Sequence, residues 1–370
     1  MVKDNSPWPR GISFSPDIGF SDEELEYLAS DECGRREMYP KTQSPWLFFS
    51  TEVYGHGRAI RFVTGWPQFL PLPFAGDHGI EYANDLYEHE WNNPSRTHLT
   101  WSAWRKDAAT PRGKRVIHVT HPWVSFRRTK GLSRDPNSTG TLLFVDHSIP
   151  TFEMHRPAGW EELLGAYREL PKKYWPTAMC LHPNDIVSGL HKELRPLGVP
   201  LVTAGNGASP LFVDRFFEIV RHYEFGSSSG IGTQTFICEE FGVRYFLIGA
   251  PATSVPIPGN SKGEAEWRDA LKFLPQTGPR MEEFDRAFRK FPPRASEKKA
   301  AIVSQTLGLG GAADDIRLFT KTALLGELIL VTPRMLKKIL TLVFKKKAPY
   351  WRPLDTETPR TRSGEVKFRI

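Results

Sequence analysis

A chain of 370 residues, 39% hydrophobic and 12% aromatic, can bury a large core and is too long for one ordinary domain, so two packed domains are expected. Its three cysteines, Cys33, Cys180 and Cys238, are too few and too widely spaced for a disulfide framework or a zinc cluster, and no metal site is expected. The net charge of +7 is uneven: residues 334–370 hold 11 Lys or Arg against 3 Asp or Glu, which is +8 and leaves −1 for the first 333 residues. The body is therefore nearly neutral, which argues against nucleic acid as a partner, and the basicity belongs to a tail. The opening MVKDNSPWPRG lacks the basic start, apolar stretch and cleavage site of a secretory signal, so a cytoplasmic protein is expected.

Up to about residue 134 the sequence is rich in Trp, Pro, Gly and His, with candidate strands at 46–50, 59–63 and 116–120 between turn-forming residues. The polar run GLSRDPNSTG at 131–140 marks the domain boundary, dividing a first domain over 1–137 from a second over 138–280. The second domain repeats one pattern. Apolar runs at 141–145, 177–181, 199–203, 224–226 and 243–248 alternate with helical patterns at 160–170, 185–194, 211–223 and 232–241. Strands alternating with helices of about ten residues imply a parallel sheet covered on both faces, because parallel neighbours need a crossover between them. Helical stretches around 265–273 and 281–290 follow, the latter opening a helical connection over 281–323, and a tail occupies 324–370.

In an open parallel sheet, ligands bind beyond the carboxyl ends of the strands. Three such loops are unusually polar: Asp146-His147-Ser148, His182-Pro183-Asn184-Asp185, and Ser227-Ser228-Ser229-Gly230-Ile231-Gly232-Thr233. In the third, small hydroxyl residues and glycines run straight into a helix start, where exposed amides and the positive end of the helix dipole attract a phosphate. The plain alternative is a Ser-capped helix after a tight turn. His182 stands before a stiffening proline and, like His147, is placed to bond a phosphate or a ribose hydroxyl; the alternative is a histidine that only caps a sheet end. Asp185 is best explained as the N-cap of the following helix. In the first domain, Asp77 and His78 lie between Gly76 and Gly79, and His121 follows a candidate strand. Each is a candidate general base for a hydroxyl, set against a simple turn role. No GxxxxGK[ST] loop, dinucleotide fingerprint, HExxH or Gly-x-Ser-x-Gly elbow occurs, which weakens ATPase, dehydrogenase, zinc protease and serine hydrolase readings.

Residues 139–250 resemble the donor domain of GT-B glycosyltransferases, especially the bacterial enzymes of capsule and lipopolysaccharide assembly. GTLLFVDHS resembles the first strand of that domain. CLHPND is similar to the His-Pro motif of bacterial sialyltransferase-like enzymes, and FGSSSGIGTQTF is similar to their serine motif. The resemblance implies an α/β fold of two Rossmann-like lobes, an acceptor-side lobe and a donor lobe. It also implies a nucleotide-sugar donor, often CMP-linked, held by His182, Ser227, Ser228 and Ser229, with no further cofactor. GDHG departs from the acidic-acidic-Gly base motif of that group by placing His78 in the second acidic position. The reaction implied is direct displacement at the anomeric carbon, with a base in one lobe and the leaving phosphate stabilised by the other. A CDP-polyol phosphotransferase and an idle glycan- or nucleotide-binding scaffold are the alternatives.

The stretch 324–344 is apolar but interrupted by Glu327, Pro333, Arg334, Lys337 and Lys338, so it does not suit a spanning helix. With Lys345–Lys347 and Trp351 beyond it, residues 324–351 read as an amphipathic helix on an anionic membrane surface, which places the protein at the inner face of the membrane beside a glycan or lipid-linked acceptor; the alternative is a helix packed against the body or at an oligomer contact.

Overall fold

The computed structural model describes residues 6–37, 49–68, 72, 74–93, 95, 97–108, 114–148 and 151–310. Over these residues the protein is mixed α/β with parallel sheets. Strands β1 (Ala75–Gly76), β2 (Thr97–Thr100) and β3 (Arg115–His118) form a first, parallel sheet in that order. Strands β4 (Thr141–Phe144), β6 (Pro176–Cys180), β7 (Leu201–Val202), β8 (Phe225–Ser228) and β9 (Arg244–Leu247) form a second, all-parallel sheet in the order β7-β6-β4-β8-β9. An antiparallel ribbon pairs β5 (Phe152–His155) with β10 (Thr253–Pro256).

The second sheet forms because its central strands are apolar on both faces: all four residues of β4, Thr-Leu-Leu-Phe, are buried, as a parallel sheet between two helical layers demands. The helix Phe212–Val220 fills one layer, burying Phe212, Val213, Phe216, Phe217, Ile219 and Val220. From β4 the chain winds outward through β6 to β7 and then crosses back to β8 and β9. The strand order therefore reverses between β4 and β8, and a crevice opens at the carboxyl ends of those two strands.

The expected strand at 116–120 is β3, and each of the five expected strands of the second domain is present. Other expectations fail for identifiable reasons. The run 59–63 belongs to the helix His56–Thr64, in which Ala59, Ile60 and Val63 face the core, Arg61 is buried against Glu52, and Gly65 at φ 70° ends the helix. The described end of 46–50 lies in the helix Phe49–Glu52. The helix expected at 185–194 is broken at Gly189, φ 90°, a conformation glycine adopts without penalty. The two stretches expected after 260 are one helix, Ser261–Phe288, capped by the Asn260 side chain on the amide of Gly263 at 3.0 Å.

The two sheets share a core. One buried cluster runs from Trp101, Trp123 and Phe126 beside the first sheet to Leu142, Phe217 and Tyr245 in the second, while Ile60, Leu72, Phe74, Leu99 and Val119 form a smaller cluster. Chain segments cross over as well. The amide of Phe20 donates to Leu201 O at 2.9 Å on the edge strand β7, so residues before the first sheet lie against the second. The helix Glu297–Leu307 returns the other way, with Leu307 O accepting from the His121 amide at 3.0 Å and Gly308 O from Thr120 Oγ1 at 3.0 Å. Among the described residues no helix is long and apolar enough to cross a membrane. The basic segment 324–351 and the end of the 281–323 connection lie outside the described residues.

Candidate functional site

The carboxyl ends of β6, β4 and β8 carry His182, Asp146-His147 and Ser229 as spatial neighbours. His182 is itself the N-cap of the helix Pro183–Val187: its Nδ1 accepts from the Asn184 amide at 3.2 Å. The cap expected at Asp185 thus falls three residues too late. Asp185 lies in the first turn and its Oδ1 accepts from Ser148 N at 2.9 Å and Ser148 Oγ at 2.8 Å, tying the loop after β6 to the loop after β4. Burial pushes its carboxyl above the ordinary value. The ring of His147 stacks on His182, centroids 4.4 Å apart. Burial first, then the neighbouring His147 and His78, push the His182 imidazole well below its ordinary pKa, so it is neutral at pH 7.

The serine loop divides. Ser227 and Ser228 are 0% exposed. Ser227 Oγ donates to Phe246 O at 2.8 Å and meets the Tyr167 hydroxyl at 2.6 Å, while Ser228 Oγ donates to Gly230 O at 2.6 Å and accepts from the Tyr245 hydroxyl at 2.8 Å. Both fasten the strand end to the core. Ser229 stands at the rim, its hydroxyl donating to the Asp146 carboxylate and its carbonyl accepting from Arg289 Nη2 at 2.9 Å. A Cβ on Gly230 would lie 3.3 Å from Pro251, so the loop is folded tightly there. The helix Thr233–Phe241 then starts behind Gly232 with no side-chain cap on its first amides.

Two hydrogen bonds bring the loop after β1 and the helical turn Val53–Gly55 onto this rim. The amide of Ile80, in the loop after β1, donates to Thr233 Oγ1 at 3.1 Å, and the hydroxyl of Tyr54 lies 3.0 Å from His182 Nε2. His78, exposed on the same loop, meets the edge of the Tyr54 ring at 5.2 Å. His78, His147 and His182, three residues marked in the sequence, therefore gather around Tyr54, which was not. Tyr54 is, among the described residues, the non-glycine residue with positive φ, at 53°, a conformation that costs on the order of 1–2 kcal/mol. Its amide donates to Gly207 O at 2.6 Å and its carbonyl accepts from Trp123 Nε1 at 3.0 Å. Gly207 leaves the ring its space, since a Cβ there would lie 2.6 Å from it. Only the neighbouring Gly55 signals the turn in the sequence.

Asp77 and His121 are placed differently. Asp77 is 0% exposed. One oxygen accepts from His98 Nε2 at 2.9 Å and from Arg105 Nη1, and the other accepts from Thr100 Oγ1 at 2.7 Å. Arg105 Nη2 reaches Glu90 Oε2 at 2.5 Å. Burial alone would raise the Asp77 carboxyl, but Arg105, His98 and Thr100 outweigh it and hold it below the ordinary value. Burial, reinforced by Glu90 and Asp77 and opposed by Arg105, pushes the partly buried Glu81 up to about 8. Asp77, Glu90 and His98 bring three ligand atoms within 4.8 Å of one another, the spacing of a metal site, and the Arg105 guanidinium is the cation among them. His121, 0% exposed, caps the helix Pro122–Lys130 by accepting from the Trp123 amide at 3.2 Å and packs on Trp101 at 4.6 Å. Of the three candidate bases, His78 is the one at the cleft.

Beside Asp146 and Ser229 a small depression opens to solvent, walled by Arg156, Trp160, Leu163 and Ala250. Arg156 lies 4.7 Å above the Trp160 ring and donates to Asp146 O at 3.0 Å. The chain matches no family model, no curated protein and no solved structure.

Proposed function

We propose that the protein is a nucleotide-sugar-dependent glycosyltransferase in which the two parallel sheets act as the lobes of a GT-B arrangement. One observation carries this reading: the loop after β1, with His78, and the helical turn Val53–Gly55, with Tyr54, meet the rim of the second sheet, with His147, His182 and Ser229, at the point where the strand order reverses. Open parallel sheets take nucleotides at such points.

In this reading the donor's phosphate lies over Ser229 and the first turn of the helix Thr233–Phe241, where amides and the helix dipole favour negative charge. His78 accepts the proton of the acceptor hydroxyl as its oxygen attacks the anomeric carbon. The bond from that carbon to the phosphate oxygen breaks, and the departing phosphate gains charge where the helix start already faces it. Asp77 and His121 hold the scaffold of the first sheet. The acceptor is a glycan or lipid-linked glycan, and the basic segment 324–351 would keep the enzyme at an anionic membrane surface on the cytoplasmic side.

The test is a thermal-shift screen of the full chain against CMP, CDP, UDP, GDP and the matching nucleotide sugars. A bound nucleotide at a hundred times its Kd adds about 2.7 kcal/mol of stability. With the donor so identified, His78→Gln should lower turnover about 10²- to 10⁴-fold while leaving donor affinity unchanged. Absence of any shift overturns the reading, and a phosphate-bearing product moves it to a phosphotransferase.

A further inference from the structure

Both ring nitrogens of His182 are engaged within the protein. The Asn184 amide, 3.2 Å away, points its hydrogen at Nδ1, so a lone pair must be there and the proton of the neutral ring is on Nε2. Nε2–H then donates to the Tyr54 hydroxyl oxygen 3.0 Å away. Tyr54 cannot return its own hydrogen to a nitrogen that already carries one. Among the described residues that hydroxyl has no hydrogen-bond partner besides His182.

We propose that Tyr54, and not His182, joins Ser229 in binding the phosphate, and that His182 positions it. The chain from Asn184 N–H to His182 and from His182 Nε2–H to Tyr54 leaves the Tyr54 O–H as a donor that only an oxygen with a lone pair to give can satisfy. An anionic phosphate oxygen meets that demand; a sugar hydroxyl meets it only as an acceptor. The surroundings hold the donor in place. The ring is wedged by edge contacts with His78, His182 and Phe212 at 5.1–5.8 Å, its backbone is fixed in a left-handed turn by Gly207 O and Trp123 Nε1, and burial pushes the phenol up to about 12, keeping its proton at pH 7. A donor fixed in advance loses little freedom when the anion arrives, which strengthens what it contributes.

This deepens the nucleotide-sugar reading and rests on it. The experiment is calorimetric titration of wild-type, Tyr54→Phe and His182→Ala protein with CMP, UDP and GDP and with cytidine, uridine and guanosine as phosphate-free controls. Tyr54→Phe keeps the ring contacts and removes the donor. It should weaken the nucleotide about ten- to a hundred-fold, the worth of one hydrogen bond to a charged group, and leave the nucleoside within twofold. His182→Ala should weaken the nucleotide in the same selective way. In parallel, ¹⁵N-histidine spectra at pH 7.5, with the His182 signal identified by its loss in His182→Ala, should show the Nε2–H tautomer. Nucleotide affinity unchanged in Tyr54→Phe, equal losses for nucleotide and nucleoside, or an Nδ1–H or doubly protonated His182 each overturn the inference alone. A wild type that binds no nucleotide overturns the reading beneath it.

Discussion

Both parallel sheets end in polar residues at the carboxyl ends of their strands, and they put them to opposite uses. At the first sheet Asp77, His98 and Thr100 are at most 1% exposed and close on Arg105. At the second, His147 is exposed, His182 and Ser229 are partly so, and the helix after β8 begins without a side-chain cap. The same sequence signal, an acid, imidazole or hydroxyl at a strand's end, thus yields a closed scaffold in one place and an open rim in the other, the rim we propose for the ligand. What separates them is a buried cation. Arg105 supplies the first sheet's carboxylates with the charge that a ligand would otherwise have to bring.

Removing that cation should have the largest effect. Arg105→Ala leaves Asp77 and Glu90 buried without their partner, a change that costs about 3–5 kcal/mol. Urea denaturation should register it as a lowered midpoint, and nucleotide affinity per folded molecule should stay as it was. A variant as stable as the wild type would mean that the network contributes nothing to the fold. An effect of opposite kind, spread over several pH units, belongs to Glu81. With its folded pKa near 8 against an ordinary 4.5, folded Glu81 keeps a proton that the unfolded chain releases. Stability from this group is present below about pH 4.5, falls as pH rises, and levels off above about 8. Glu81→Gln removes the linkage. The variant should gain on the wild type by at most about 1.4 kcal/mol per pH unit across that window, seen in denaturation midpoints from pH 5 to 8. Parallel curves would show that Glu81 ionises as it would in water.

The contrast also explains what could be read from the sequence. The second sheet was legible because its strands are apolar runs set off by Gly and Pro, a pattern that buried parallel strands share. In the first sheet β1 has two residues, and β2, Thr-His-Leu-Thr, is buried on every side chain because the Asp77 network makes polar residues welcome inside. No alternation survives there to be recognised. The run Ala-Ile-Arg-Phe-Val looked like a strand since Ile60 and Val63 are β-branched, yet tertiary packing made it a helix, with Arg61 turned under to Glu52. The ribbon strands β5 and β10 alternate between partly buried and exposed residues and gave no apolar signal. At the candidate site, the places of His78, His147, His182, Ser229 and Thr233 beyond strand ends are legible in the sequence. That of Tyr54 is not: its position depends on one left-handed backbone turn and on a partner 128 residues away.

The serines give the finest cut between scaffold and rim. The sequence suggests one anion loop because its apolar run stops at Gly226, whereas strand β8 runs on through Ser228, and Ser227 and Ser228 are buried with it. Ser227→Ala deletes the donor to Phe246 O and the partner of the Tyr167 hydroxyl, so it should cost about 1–3 kcal/mol of stability and leave nucleotide affinity untouched. Ser229→Ala should change stability by no more than about 0.5 kcal/mol and weaken the nucleotide, since it strips a hydroxyl from the rim and releases the Asp146 carboxylate it now holds. Paired denaturation curves and titrations on the two variants decide the matter. Affinity lost in Ser227→Ala at full stability, or kept in Ser229→Ala, would place the boundary between fold and site on the wrong side of Ser228.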